Sequence, residues 1–174
     1  MKKPILIALL ITFSLFLNAQ IINKGTLKII DGTTVYFGEV YTNDASATHD
    51  NEGNLHLNSD FINNGTITAS ANADTANGIT YFDSPTNVNA ATNNIQHILG
   101  TNKVIFENLE INMTGTNAKG VLVADNMELI VENSINLVNK DLRLENKAQL
   151  IQLHTGTNAN LGNSNLLRDQ QGTT

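Results

Sequence analysis

The chain has no cysteine and no tryptophan, and only two prolines among its 174 residues. Without thiols there is no disulfide framework, no zinc finger, no iron–sulfur cluster and no cysteine nucleophile. Packing and hydrogen bonds alone must hold the fold. Aromatic residues make up 5% of the chain, which weighs against an open sugar-binding cleft, since such clefts want exposed ring faces. Charged residues are also few, at 15%, against about a quarter in ordinary globular domains. Basic residues are the scarcer sign. Setting aside Lys2 and Lys3 leaves 8 basic against 16 acidic residues, a net charge of about −8. A surface of that sign repels phosphate backbones, so nucleic acid is excluded as a partner, and no basic cluster is there to hold anionic lipid.

The N-terminus carries one long apolar run. Lys2 and Lys3 precede Ile5 to Leu17, and Asn18-Ala19-Gln20 follows with a small residue at Ala19. That pattern predicts a secretory signal helix over residues 1–19, with cleavage between Ala19 and Gln20. The run is shorter than the roughly 20 apolar residues a membrane-spanning helix needs. Export machinery is thus an expected partner, and the expected location is outside the cell or on its outer surface. Residues 20–174 are expected to form one β-repeat domain, incomplete at its C-terminal end.

Asparagine and threonine fill the place left by charge. Threonine suits strands, and asparagine suits tight turns because it tolerates left-handed backbone angles. The apolar residues come as alternating doublets: Leu27 and Ile29, Val35 and Phe37, Leu55 and Leu57, Ile79 and Tyr81, Leu109 and Ile111. Val121 and Val123, Leu129 and Val131, Ile135 and Leu137, Leu142 and Leu144, and Ile151 and Leu153 continue the series. Period-two spacing points one row inward on each strand. No stretch after the signal carries apolar residues at helical spacing over three turns. Asp31-Gly32, Asn64-Gly65, Asn77-Gly78, Asn133-Ser134 and Asn146-Lys147 mark turns between doublets.

From Val121 to Leu153 the doublets return about every seven residues, the strand-plus-turn length of one solenoid face. Three faces make a coil of roughly 21 residues, which predicts that Leu129 stacks on Leu150 and Ile130 on Ile151. A single coil buries too few aliphatic side chains to offset the entropy of ordering it, whereas stacked coils share their faces. The expected fold is all-β, a right-handed parallel β-solenoid with loop excursions. An antiparallel β-sandwich is the alternative, since the Asp-Gly and Asn-Gly turns also suit hairpins. Residues 43–54, 69–77 and 84–94 are polar and small, and are expected to be loops.

No catalytic constellation appears. His49 lies among Asp44, Asp50 and Glu52, a grouping that reads as a solvated loop because its spacing does not match a calcium loop. His56, His97 and His154 are scattered and read as surface residues, with His56 pointing outward between Leu55 and Leu57. The Gly-Thr pairs at 65–66, 100–101, 115–116 and 156–157 read as turn-to-strand junctions. Lys103, Lys119, Arg143 and Arg168 show no common register. Threonine on a flat face would suit ice binding only if repeated coil after coil, and Thr66 with Thr68 fits once. No cofactor or metal is expected. Asp74-Thr75-Ala76 resembles the acceptor motif of bacteroidete O-glycosylation, which makes Thr75 the candidate modified residue. Asn64 and Asn112 match the Asn-x-Thr rule that a bacterial exporter seldom uses.

Gly120-Val121-Leu122-Val123, Met127-Glu128-Leu129-Ile130-Val131, Asp141-Leu142-Arg143-Leu144-Glu145, Gln149-Leu150-Ile151-Gln152 and the closing Arg168-Asp169-Gln170-Gln171-Gly172-Thr173 share one style. With the Leu17-Asn18-Ala19-Gln20 junction, they resemble the β-repeat regions of large secreted surface proteins of Flavobacteria and related bacteroidetes. The resemblance implies an adhesin-like region preceding a sorting domain for type IX secretion. The expected function is a non-catalytic structural or adhesive module whose partner is an extracellular glycan or a surface protein. Two alternatives are a carbohydrate-binding domain using Tyr36, Tyr41, Tyr81 or Phe82, with Tyr36 and Phe82 expected to be partly buried, and a β-domain associated with a polysaccharide-degrading enzyme.

Overall fold

The computed structural model describes residues 20–68, 78–83, 94–115, 118–153, 159–161 and 167–170. The signal segment lies outside them, as do Ala19, Thr75 and His154. In chain order the strands are β1 (Ile21–Asn23), β2 (Thr26–Ile29), β3 (Thr34–Phe37), β4 (Tyr41–Asn43), β5 (Thr48–Asn51), β6 (Asn54–Leu57), β7 (Phe61–Asn63), β8 (Thr66–Thr68) and β9 (Ile79–Asp83). They continue as β10 (Asn94–Gly100), β11 (Val104–Asn112), β12 (Ala118–Val123), β13 (Glu128–Asn139), β14 (Leu142–Glu145), β15 (Gln149–Gln152), β16 (Ala159–Leu161) and β17 (Leu167–Gln170).

Successive strands pair not with each other but with the strand one coil away, always in parallel. The first face runs β1-β4-β7-β10-β12-β14-β17, the second β15-β13-β11-β9-β6-β3 with β16 beside β13, and the third β2-β5-β8. This is a parallel β-solenoid, and the hairpin-built sandwich is excluded. On the first face residue n faces residue n + 20 in the early coils, as in Ile21↔Tyr41↔Phe61. In the later coils Leu129 faces Leu150 and Ile130 faces Ile151, as the repeat predicts.

Alternation then sorts the chemistry. On the first face Tyr41, Phe61, Ile98 and Val123 lie one above another and are all fully buried. On the second face Leu57, Phe82, Ile111 and Leu137 do the same. At ~2 kcal/mol for each buried aliphatic or aromatic side chain, these columns are the main source of cohesion between coils.

The interior also holds an amide ladder. Asn23, Asn43 and Asn63 share one register, and each Nδ2 donates to the next Oδ1 at 2.9 Å. Their amides also reach backbone carbonyls at Thr48, Thr66 and Lys103. Asn43 and Asn63 are fully buried, and this pairing removes the cost of burying an amide without partners.

Several expectations are corrected. Residues 43–54 are not a loop, because β5 and the start of β6 run through them. Thr48-His49-Asp50-Asn51 lacks aliphatic residues, so its strand character comes from pairing with β2 and β8. In β9 the inward pair is Thr80 and Phe82 rather than Ile79 and Tyr81, because Leu55 and Leu57 of β6 set that register. In β15 Leu150 packs on the core while Leu153 stands exposed, so Ile151 and Leu153 are not the inward pair.

The second and third faces meet at a corner that two strands cross without a break. β11 skips a residue between Phe106 and Asn108, and there β13 skips from Val131 to Ser134. Such bulges bend the strand and re-aim the side chains within them, and here those are Glu107 on β11 and Glu132 and Asn133 on β13. At another corner Gly120 holds φ at 102°, and a Cβ on it would overlap the Asp141 carbonyl oxygen. Only glycine meets both demands cheaply.

Candidate functional site

Two places concentrate polar and aromatic chemistry. The first is a stripe on the outside of the second face, where Tyr36, His56, Tyr81, Glu110 and Asn136 occupy one register row. Tyr36 stacks on His56 with centroids 4.4 Å apart, and His56 stacks on Tyr81 at 4.2 Å with planes 2° apart. His56 Nδ1 lies 2.6 Å from Asp83 Oδ2. Glu110 Oε2 accepts a hydrogen bond from Asn136 Nδ2 at 2.8 Å. Burial pushes the Tyr81 phenol up from its ordinary value, helped by the negative charges of Glu110 and Asp83.

His56 points outward as expected. Tyr36 departs from expectation: it is 69% exposed, whereas Tyr41 and Phe82 are fully buried. Stacking along the rod axis uses up ring faces. Both faces of His56 are covered by tyrosines, so the stripe shows mostly edges to solvent.

The second place is inside, where the third face loses its ladder. Among the described residues, β8 pairs only with β5, and Val104–Phe106 of β11 pair only with β13. The free edges of β8 and β11 face each other across a seam. Within it, His49, Asn51, Thr68, Thr80, Ile67, Ile105, Phe106 and Glu107 line a small void with about 10 Å³ open to the centre of a water molecule. Above it lies a groove of about 260 Å³ bounded by Gly65, Thr66, Asn102 and Lys103.

His49 faces inward between Leu27 and Ile67 and is 1% exposed, so the solvated-loop reading of its cluster is corrected. Its Nδ1 lies 2.8 Å from the Tyr41 hydroxyl, while its Nε2 has no partner. Burial drives the imidazole down to about 4, against an opposing pull from Asp50. Glu107 is 7% exposed, and neither carboxyl oxygen makes a well-formed hydrogen bond. Burial pushes it up to about 7. The nearby Gly78 amide offsets this only partly, and Glu132 and Glu52 add repulsion. Perturbed groups of this kind gather at functional sites, although structural networks produce them too.

The other sequence candidates fall elsewhere. Lys28 Nζ reaches both Asp50 and Glu52 at 2.8 Å, and Asp44 accepts the Ala45 amide. These carboxylates do not converge on an ion site, and no group of three metal-ligating side chains occurs among the described residues. His97 pairs with Asp60 at 3.1 Å, which holds its imidazole above the ordinary value. Asn64 and Asn112 accept hydrogen bonds from Thr101 and Asn139. Gln20 lies exposed just before β1.

Two of the four basic residues do share a register after all, since Arg143 and Arg168 are Cα partners. Thr26, Thr48 and Thr66 also align over three coils. The adjacent row holds Lys28, Asp50 and Thr68, and its ion pair interrupts the regular hydroxyl array that an ice-like surface needs. Sequence reasoning misread His49 as solvated and missed Glu107. Their signal was the 22-residue step from Leu27 to His49 and the acidic interruption of the apolar run Val104–Ile111.

No known protein family, curated protein or solved structure matches the chain.

Proposed function

We propose that the protein is an extracellular structural or adhesive module, a stiff rod that carries no reaction of its own. One observation supports this best: the outward polar groups are spent on neighbours in adjacent coils. Lys28 ties β2 to Asp50 and Glu52, Asn136 ties β13 to Glu110, and His56 lies between two tyrosines from adjoining coils. Side chains used this way stiffen a stack; they do not converge on a cleft. The signal pattern over residues 1–19 supports export, and the repeat style supports a bacterial cell-surface role. Thr75 remains the proposed glycan carrier.

The test is adhesion and accessibility. Intact producing cells should lose the protein to added protease, and a deletion strain should adhere less to its substratum, with adhesion restored by the intact gene. Protection from protease together with unchanged adhesion would contradict the proposal.

A carbohydrate-binding reading is favoured by Tyr36, whose ring is 69% exposed and stacked on one side only. Its free face could cover a single sugar ring. On a glycan array, Tyr36→Ala should then abolish any binding the native protein shows, and retained binding would remove this reading.

A further inference from the structure

The seam between β8 and β11 is unusual in a rod that is otherwise laddered throughout its described coils. Here β8 and Val104–Phe106 of β11 lie side by side but form no ladder among the described residues, and the small void opens between them.

The polar groups in the seam point to its occupant. The Tyr41 hydroxyl occupies His49 Nδ1 at 2.8 Å, which leaves His49 Nε2 as a buried polar atom with no partner. Glu107, lining the same void, offers two buried oxygens without a well-formed hydrogen bond, with only the Gly78 amide near them. Leaving one such group unmet costs about 1–3 kcal/mol, and the void has roughly the room that one water needs.

We propose that the seam is a binding site for a single buried water, which hydrogen-bonds to His49 Nε2 and to the Glu107 carboxyl. This completes a chain from Tyr41 through His49 and the water to Glu107, and it closes the third face where backbone pairing stops. The charged and titratable groups around Glu107 are His49 from β5, Glu52 at the corner before β6, and Glu132 from β13. Lys28 is held by Asp50 and Glu52 on the outside, and Lys103 borders the adjoining groove rather than the void. A neutral water, able to donate and to accept, suits an imidazole nitrogen beside a carboxyl that burial keeps protonated up to about 7.

A high-resolution crystal structure of the protein near pH 5.5 tests this, together with the ring-nitrogen NMR signals of His49. The expected result is a density peak at about 2.6–3.2 Å from both His49 Nε2 and one Glu107 oxygen, with ring-nitrogen signals of a neutral imidazole whose Nε2 is hydrogen-bonded. A dry void, or a direct His49–Glu107 hydrogen bond, overturns the proposal. A second measurement uses Glu107→Leu, which fills the volume without an acceptor. Amide exchange at Ile67 and Ile105 should rise about tenfold relative to Leu129, and equal exchange would also overturn it. If that variant does not fold, the native structure and the His49 signals still decide.

Discussion

Asn43 donates to Asn63 across 2.9 Å with both side chains sealed from solvent, so two residues twenty apart in sequence form one rung of an internal ladder. Asn43 also accepts from Asn23, which makes it the middle rung. Replacing it with alanine strands the Asn63 acceptor and the Asn23 donor at once. Asn43→Ala should therefore cost on the order of 2–4 kcal/mol, while Asn23→Ala, at the half-buried end of the ladder, should cost about 1. Urea midpoints at constant slope compare the two. Equal losses would show that the ladder does not act as a unit.

The seam predicts an unusual response to pH. Glu107 sits at about 7 when folded, against an ordinary value of 4.5. Its share of stability is full below 4.5 and lost as pH rises through 7. His49 sits at about 4, against 6.5, so its share is full above 6.5 and lost as pH falls through 4. Between 4.5 and 6.5 the two slopes oppose each other, and their combined contribution should be nearly flat. Glu107→Gln removes one of them. Stability of that variant should rise with pH from 4.5 to 6.5 and exceed the native value at pH 8 by on the order of 1–3 kcal/mol. Denaturant titrations at several pH values check this, and a variant profile parallel to the native one would contradict it.

On the outer stripe, stacking and hydrogen bonding can be separated. His56→Ala removes both ring contacts and the Asp83 partner, and should cost about 1–2 kcal/mol. His56→Phe keeps the stack and loses only the Asp83 contact, so it should recover roughly half of that. Thermal midpoints of the two variants provide the comparison. No recovery would mean that the Asp83 contact, and not the ring stack, joins these coils.

The parts of the fold that were legible in the sequence are those where one row is aliphatic and the other polar. Leu55, His56 and Leu57 show this, and the 21-residue step from Leu129 to Leu150 gave the coil register directly, although not which of Leu150 and Ile151 faces in. Parity fails where both rows are apolar, as in Ile79-Thr80-Tyr81-Phe82. There the adjoining β6 decides that threonine faces in and tyrosine faces out. Strand β5 was hidden for the opposite reason, since Thr48-His49-Asp50-Asn51 has no aliphatic residue. The functional candidates were harder still. The Tyr36–His56–Tyr81 stripe and the His49–Glu107 seam each join residues from different coils, and their meeting depends on insertions that change the step between coils. Phe61 and Ile98 face each other 37 residues apart, where Tyr41 and Phe61 are only 20 apart.

The most direct test of the stacked-coil account is a crosslink between Thr42 and Ile62, Cα partners on β4 and β7. The chain has no cysteine of its own, so Thr42→Cys with Ile62→Cys introduces the only two thiols. Parallel neighbours at this spacing fall within the reach of a disulfide, for which Cα atoms lie about 4.4–6.8 Å apart. Mild oxidation should join them nearly completely, as read by mass spectrometry after proteolysis, while Thr42→Cys with Asp60→Cys, two residues out of register, should remain largely reduced. Equal crosslinking of both pairs, or of neither, would contradict the parallel register on which the account rests.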